Sequence, residues 1–289
     1  MDTAKRRKVG ILGFGALGQH MYTSILNDAA VAAKLEVVFV WNRSPDALSQ
    51  LPAELRLASL EDAVSRGADV VVEVAHPKVA AQIGAAIMAS GADFVIGSPT
   101  ALADPDCEKN LRAAAAKGPG ALYMPAGALW GATDLQALAN RGSMHALTVT
   151  MRKHPASFRL TEDSVDALRN GAETAPDGSE EVVLYEGPVR GLCPLAPNNV
   201  NTMACAAMAA HTLGFDGTVG RLIADRRLIT HEVEILALGK PSADGSQFRL
   251  ALTRSSPAPA GAVTSKATYG SFVESLLKSG GRGLGVHFV

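Results

Sequence analysis

A glycine-rich turn directly follows an apolar segment near the N-terminus, and this pairing limits the possible folds more than any other feature. Residues 8–12 (KVGIL) form a predicted strand, and the G-x-G-x-x-G pattern follows at once. In a βαβ unit its three glycines allow a tight turn, a close approach of pyrophosphate, and close helix–strand packing. The next helix then offers free N–H groups to the phosphates. The predicted cofactor contacts here are Gly13, Phe14, Gly15, Ala16, Leu17 and Gly18.

Strand and helix patterns alternate along the first half of the chain. The other strands predicted there are residues 35–41, 68–74, 93–98 and 121–125, and the helices are residues 19–33, 77–90 and 104–117. Alternation at this spacing predicts an α/β fold, an N-terminal Rossmann domain with a doubly wound parallel sheet.

The pattern changes after about residue 134 and predicts a second, smaller α+β domain. Its predicted strands are residues 144–152, 181–187, 221–225 and 231–236, with a helix at 201–212, a helix and loop within 161–180, and a Pro/Ala/Gly connection at 255–261. We therefore predict a dinucleotide-binding domain over 1–134 and a substrate and dimerisation domain over 135–262. Residues 263–289 hold a helix, at 271–278, that is expected to pack back on the first domain.

Composition excludes several classes of function. With 289 residues, 47% hydrophobic and 19% charged, the chain is long enough for two domains with a substantial core. A formal net charge of −1 gives no basic face for nucleic acid. No apolar run approaches the ~20 residues of a membrane span, and residues 1–7 lead into the first strand without a signal-peptide pattern. Together with three cysteines that lack metal-ligand spacing, this predicts a cytoplasmic protein without a metal site.

The end of the second strand bears on the choice between NAD and NADP. An acidic residue there would bind the ribose 2′-hydroxyl and repel a 2′-phosphate. The sequence has Asn42 and Arg43 instead. Asn42 keeps a hydrogen-bonding group, and Arg43 either pairs with a 2′-phosphate or is a solvated loop residue. The pattern favours acceptance of NADP, with NAD as the other cofactor.

Two further strand ends supply candidate cofactor contacts, since ligands bind at the carboxyl ends of such strands. Ala75 and His76 follow the third strand, and Gly97 and Ser98 follow the fourth. His76 either contacts the cofactor or caps the next helix, and the small residues at 97–98 either leave room for the nicotinamide or only form a turn.

Candidate groups also occur later in the chain. Gly127 and Ala128 stand where the first domain gives way to the second, and their backbone amides either bind a ligand or form a hinge. Asn199 and Asn201 belong to a trio of asparagines before a helix, more than one cap requires. We favour a role for these amides in binding nicotinamide or a polar group of the substrate.

Histidine is the residue type that best suits proton transfer near neutral pH. His231 opens a predicted apolar strand and is a candidate catalytic residue, although His20, His145, His154, His211 and His287 compete with it on the residues alone. Arg152 and Lys153 form one of several basic clusters that suit a substrate anion, each of which also fits a solvated patch.

Taken together, these segments resemble the L-aspartate dehydrogenase family, in particular its animal-type members. The matching stretches are GFGALG at 13–18, VFVWNR at 38–43, VEVAHP at 72–77, GALWG at 127–131, LYEGPVRG at 184–191 and NVN at 199–201. The resemblance implies NAD(P)-dependent oxidative deamination of L-aspartate through iminoaspartate to oxaloacetate and ammonia, or the reverse. It also implies a homodimer with a Rossmann domain and a smaller α/β domain.

The resemblance also assigns roles to particular residues. The family's catalytic histidine matches His231, its cofactor contacts match Asn201 and a backbone amide at 127–128, and its basic segment matches residues 150–153, which implies that Arg152 and Lys153 bind a substrate carboxylate. Trp130 departs from the prokaryotic pattern and is expected to narrow the substrate pocket. The alternatives are a reductase of another small dicarboxylate or amino acid, and a non-catalytic NADP-binding sensor.

Overall fold

The structure, a computed structural model, describes residues 5–125, 129–160, 168 and 181–289. The chain divides into two compact units. The first comprises Met1–Gly127 together with Tyr269–Val289, and the second comprises Ala128–Thr268. The sequence-based divisions at residues 134 and 262 fall near these limits. The helix and loop predicted within 161–180 lie outside the described residues, apart from position 168.

The strands in the described residues are β1 (Arg7–Leu12), β2 (Leu35–Trp41), β3 (Val70–Glu73), β4 (Asp93–Ile96), β5 (Leu122–Met124), β6 (Met144–Lys153), β7 (Glu181–Pro188), β8 (Thr218–Asp225), β9 (Thr230–Gly239), β10 (Arg249–Pro257) and β11 (Val286–Phe288). The α-helices there are α1 (Ala16–Asn27), α2 (Ala29–Ala32), α3 (Pro77–Ala89), α4 (Pro105–Lys117), α5 (Ala132–Asn140), α6 (Val189–Leu192), α7 (Asn201–Ala209), α8 (Gly214–Gly217) and α9 (Lys266–Lys278). None of these helices is long and apolar enough to cross a membrane.

The first unit contains a parallel sheet with the strand order β11-β5-β4-β3-β1-β2. Its strands are fully buried runs such as Val70–Glu73, as expected for a sheet with helices on both faces. The chain order reverses between β1 and β3, and ligands of such sheets bind at this switch point beyond the carboxyl ends of the strands. The fold confirms the predicted Rossmann domain.

The C-terminal segment belongs to the first unit. Phe272, Val273 and Leu276 of α9 pack in the same core as Val9 and Ile11 of β1. The Ser275 hydroxyl donates a hydrogen bond to the backbone oxygen of Val289 at 2.8 Å. The sequence patterns do not predict β11, which pairs with β5 and extends the sheet.

The second unit contains a mixed sheet with the strand order β10-β9-β6-β8-β7. The pair β6–β8 is parallel, and the other neighbours are antiparallel. Alternate residues of β9 are buried, because one face of the sheet is covered by the unit's helices. The Ala-rich helix α7 is buried from its second residue, Thr202, to its end at Ala209. The structure corrects the predicted connection at 255–261, because β10, which the sequence patterns do not predict, continues to Pro257.

Candidate functional site

The glycine turn after β1 packs directly against the loop after β3. Gly13 has φ +106°, a left-handed conformation that favours glycine. A β-carbon on Gly13 would lie 2.8 Å from the backbone N and Cα atoms of Ala75, and one on Gly18 would lie 2.1 Å from the Gly13 oxygen. No other residue type fits these two positions without a backbone shift. The turn therefore has the close packing that its sequence predicts.

Gly15 differs from the other two glycines because the space that a side chain would occupy at this position is open. A β-carbon there would meet no described atom within 4 Å. Gly15 is also the N-cap of α1, where no side chain caps the helix and no acidic residue occupies the first turn. A free helix start beside an open glycine suits a pyrophosphate, so these residues fit the phosphates of a dinucleotide.

Asn42 fixes the glycine turn from the end of β2. Its Oδ1 accepts a hydrogen bond from the Phe14 N–H at 3.0 Å, and its Nδ2 donates to the Ser44 oxygen at 3.0 Å. The predicted cofactor contact thus shares its amide with the protein's own backbone. Arg43, the next residue, is exposed, and its positive charge contributes to the lowered pKa of His76.

His76 caps the helix that follows β3, one of its two predicted roles. Its Nδ1 accepts a hydrogen bond from the Lys78 N–H at 3.2 Å at the start of α3. Burial, followed by the charges of Lys78 and Arg43, lowers the pKa of His76. No contact tests its predicted role toward the cofactor.

Glu73, which the sequence patterns do not single out, ties together the loops that carry four predicted cofactor contacts. Its side chain is 0% exposed. Oε1 accepts from Ala75 N at 2.7 Å, His76 N at 2.9 Å and Ser98 Oγ at 3.0 Å, and Oε2 accepts from Ser98 N at 3.0 Å. Burial raises the pKa of Glu73 to about 7, although these hydrogen bonds act in the opposite direction. Gly97 is held as closely, since its N–H donates to the Glu73 backbone oxygen at 2.7 Å.

In the second unit, His231 has the properties of a proton acceptor. It lies at the start of β9 and is 5% exposed. Its ring is hydrogen-bonded to the backbone of Ala262, and its Nε2 has no hydrogen-bond partner among the described residues. Because that bond stabilises the protonated ring, we assign Nδ1–H as its donor, which leaves the Nε2 lone pair free. Burial, followed by the charge of Lys153, lowers the pKa of His231 to about 4, so the ring is neutral at pH 7.

Lys153 is a buried cation close to His231. It is 4% exposed at the end of β6, and its Nζ donates to the Asn199 backbone oxygen at 3.3 Å. Burial and the charge of Arg254 lower the pKa of Lys153 to about 8, so it stays mostly protonated at pH 7. A buried ammonium group of this kind favours an anionic ligand.

The structure does not bring Arg152 and Lys153 together, although both are predicted to bind a substrate carboxylate. Consecutive residues of a strand point to opposite faces of the sheet. Arg152 forms ion pairs with Glu234 at 2.8 Å and Glu181 at 3.5 Å, whereas Lys153 is buried with His231. The second cation on the Lys153 side is Arg254 of β10. It pairs in register with Val233, two residues from His231, and its charge lowers the pKa of both His231 and Lys153.

Asn199 and Asn201, the two asparagines predicted as ligand contacts, lie in different surroundings. Asn199 is 2% exposed, and its Oδ1 accepts from Arg159 N at 2.7 Å while its Nδ2 donates to the Ser157 oxygen at 3.0 Å. Its amide thus orients the segment after β6, and its backbone oxygen holds Lys153. Asn201 is the first residue of α7. Gly127 and Ala128 lie outside the described residues, so their predicted roles remain predictions.

A cavity of about 510 Å³ lies beside Arg254 in the second unit. Its other lining residues are Trp130, Gly131, Asp134, Val233, Ile235, Leu252, Thr253 and Ser255. Trp130 is 60% exposed and forms part of this wall, and its expected narrowing of the substrate pocket stays a prediction. Within the described ranges, no group of three His, Cys, Asp or Glu side chains could hold a metal ion.

The Rossmann sheet, the glycine turn and the buried histidine and lysine define a dinucleotide-dependent oxidoreductase, and the comparisons agree. The family described as "Homoserine dehydrogenase, NAD binding domain" matches residues 13–125, and "Aspartate dehydrogenase, C-terminal" matches residues 134–279. The aspartate dehydrogenase domain-containing protein of Xenopus tropicalis is 44% identical, with 98% of each chain covered. The chain therefore belongs to the aspartate dehydrogenase family.

More distant proteins that are named aspartate dehydrogenases are also similar to this chain. The L-aspartate dehydrogenase of Methanocaldococcus jannaschii is 28% identical, over 70% of this chain and 74% of that protein. The crystal structure of aspartate dehydrogenase from Thermotoga maritima matches with a TM-score of 0.67 at 17% identity, over 95% of both chains. At that identity the structural likeness concerns the fold alone.

Proposed function

We propose that the chain is an NAD(P)-dependent L-aspartate dehydrogenase, which converts L-aspartate through iminoaspartate to oxaloacetate and ammonia, or catalyses the reverse. The observation that carries the proposal is the pairing of a neutral His231, whose Nε2 is unpartnered among the described residues, with the buried Lys153 ammonium. A base and a cation are what deamination of an amino acid requires. Family membership and the L-aspartate dehydrogenases among its relatives support the same substrate.

The first unit would hold the cofactor. The helix start at Gly15 would receive the pyrophosphate, and the loops at Ala75–His76 and Gly97–Ser98 border the same edge of the sheet. When bound, the nicotinamide supplies the hydride acceptor or donor. Both NAD and NADP are proposed as cofactors, and the exposed Arg43 supports acceptance of the 2′-phosphate of NADP.

The second unit would bind the substrate and move its protons. Lys153 would bind one carboxylate, and Arg254 adds positive charge for the other carboxylate of a dicarboxylate. His231 Nε2 would take a proton from the substrate ammonium group as the Cα hydride leaves, and would release that proton to water. It would then take a proton from the water that attacks the imine carbon and return it to the nitrogen, so that ammonia leaves as the carbonyl forms. In the reverse direction His231 would return these protons.

Steady-state formation of NADH and NADPH with L-aspartate and a panel of other amino acids tests this function. Turnover with L-aspartate that is lost in His231→Ala, while NADPH still binds, supports the proposal. Turnover only with another substrate would indicate a related reductase, and tight cofactor binding without turnover on any substrate would indicate a sensor.

A further inference from the structure

The Glu73 carboxylate accepts all of its hydrogen bonds from two loops at the dinucleotide-binding edge of the first unit. Ala75 and His76 belong to the loop after β3, and Ser98 belongs to the loop after β4. Three of the four donors are peptide N–H groups, which cannot accept a hydrogen bond. One buried side chain therefore fixes the distance between two loops that lie far apart in the sequence.

The position of Ala75 matters for the glycine turn. Its backbone N and Cα are the atoms that a β-carbon on Gly13 would meet at 2.8 Å, so the two loops have no spare room between them. The same Ala75 N–H donates to Glu73 Oε1 at 2.7 Å. Loss of the hydrogen bond from Ala75 to the Glu73 carboxylate would therefore allow the Ala75 backbone to move, and the phosphate-binding turn packs against this backbone.

The hydrogen bonds require an ionised carboxylate. A protonated Glu73 would carry an O–H of its own in a site that excludes water, and among the four donors only the Ser98 hydroxyl could accept it. A proton on Oε2 would displace the bond from the Ser98 N–H, and a proton on Oε1 would reverse the Ser98 hydroxyl bond and weaken the oxygen as an acceptor for Ala75 and His76. The groups around Glu73 are otherwise neutral: its register neighbours are Leu12 on β1 and Ile96 on β4, Phe272 of α9 approaches Gly97, and His76 is the titratable residue that contacts it. The causes of its shifted pKa are burial and its hydrogen bonds, with no contribution from a nearby charge.

We propose that Glu73 is a positioning residue of the dinucleotide site, which holds the loops after β3 and β4 in their binding conformation only while its carboxylate is ionised. The inference rests on the cofactor part of the proposed function and is independent of the substrate. Because burial raises the pKa of Glu73 to about 7, cofactor affinity would decrease as the pH falls through this value. The decrease would approach tenfold per pH unit well below it.

The test is the dissociation constant of NADPH, measured by calorimetry without substrate between pH 5.5 and 8.5. Wild type is expected to bind more weakly at low pH, and Glu73→Gln to bind about tenfold more weakly at pH 8, with little dependence on pH. Glu36→Gln is the matched control, because Glu36 is on β2 and makes a surface ion pair with Arg6. It is expected to behave as wild type.

Two results would overturn the proposal. One is an unchanged affinity and pH slope in folded Glu73→Gln. The other is tighter NADPH binding in that variant or at low pH, which would mean that the carboxylate acts by repelling the phosphates and does not hold the loops. If Glu73→Gln fails to fold, Ser98→Ala decides, because loss of one donor to the carboxylate should move the midpoint of the pH profile upward. An unmoved midpoint would contradict the proposal. Since no substrate is present, these outcomes are separate from those for aspartate turnover.

Discussion

Arg152 and Lys153 are consecutive residues of β6, and their side chains lie on opposite faces of one sheet. Arg152 forms ion pairs with Glu234 of β9 and Glu181 of β7. Lys153 is buried, as His231 is, and its Nζ donates to the Asn199 backbone oxygen at 3.3 Å. Substitution of each of these two residues in turn therefore compares the two faces of the sheet. Lys153 is on the proposed substrate-binding face, and Arg152 is on the face that carries the ion pairs.

Lys153→Met is expected to raise KM for L-aspartate about 100-fold, because loss of one partner of a buried charge interaction costs several kcal/mol. The dissociation constant of NADPH should not change. Arg152→Met should leave KM within a factor of about three and lower the free energy of unfolding by at most about 1 kcal/mol, as for other partly exposed ion pairs. Steady-state kinetics and urea denaturation measure both variants. A larger effect on KM from Arg152→Met would refute the assignment of faces.

Arg254→Met is expected to reduce the preference for L-aspartate over L-alanine, which lacks the second carboxylate, by about tenfold or more. Arg254→Lys keeps the charge and should restore part of this preference. Arg249→Met is the control, because Arg249 is an exposed residue of the same strand. The ratio of kcat/KM for the two substrates is the measurement, and an equal ratio in Arg254→Met and wild type would exclude this role.

The stability of the second unit should depend on pH through His231. In the folded chain the pKa of His231 is about 4, against 6.5 in the unfolded chain, so the unfolded chain binds an additional proton between these values. Stability is therefore lost as the pH falls from 6.5 toward 4, and the loss between pH 7 and pH 5 is about 2 kcal/mol for this residue. His231→Asn should lose less stability over the same window. Urea denaturation of both proteins at pH 7 and pH 5 would show parallel losses if this assignment is wrong.

Substitution of Gly15 is expected to affect cofactor binding, whereas substitution of Gly13 is expected to affect the stability of the fold. Gly15→Ala places a β-carbon where no described protein atom lies within 4 Å, so thermal stability should hardly change while NADPH affinity falls about tenfold. Gly13→Ala forces φ +106° on alanine and meets the Ala75 backbone, which should lower the free energy of unfolding by about 2 kcal/mol. Calorimetric unfolding and NADPH titration check both; normal NADPH affinity in Gly15→Ala would contradict the placement of the phosphates.

Arg43→Ala is expected to weaken NADP binding about tenfold and NAD binding much less, because the guanidinium pairs with a group that only NADP carries. Arg6→Ala is the control, since Arg6 precedes β1 and pairs with Glu36 near the start of β2, whereas Arg43 follows the end of β2. Titration with both cofactors gives the result. Equal weakening of NAD and NADP would mean that Arg43 does not bind the 2′-phosphate.

The sequence was sufficient to predict the Rossmann domain because its signals are local. An apolar strand, a glycine turn and helix patterns at crossover spacing each depend on neighbouring residues. The strand β2 was predicted with the limits that the structure has, Leu35–Trp41. The edge strands β10 and β11 were missed because one is exposed at alternate positions and the other is three residues long.

The side-chain partners of the candidate site depend on tertiary contacts that no local pattern contains. Asn42 and Asn199 are predicted as ligand contacts, and no local pattern shows that the amide oxygen of each also accepts a hydrogen bond from a backbone N–H far away in sequence. Arg254 was missed because its place near His231 follows from the register of β9 and β10. Two signals were nevertheless available: Glu73 is a charged residue directly after three valines of a predicted strand, and strand alternation alone separates Arg152 from Lys153.

The pairing of β11 with β5 has a consequence for biosynthesis. These two strands are neighbours in one sheet, yet the whole second unit lies between Met124 and Val286 along the chain. On the ribosome, the second unit is a continuous segment that can fold as soon as it emerges, whereas the first must wait with the edge of β5 uncovered until the final strand arrives. Until then that edge is open to pairing with other chains, so truncation before residue 286 should promote aggregation.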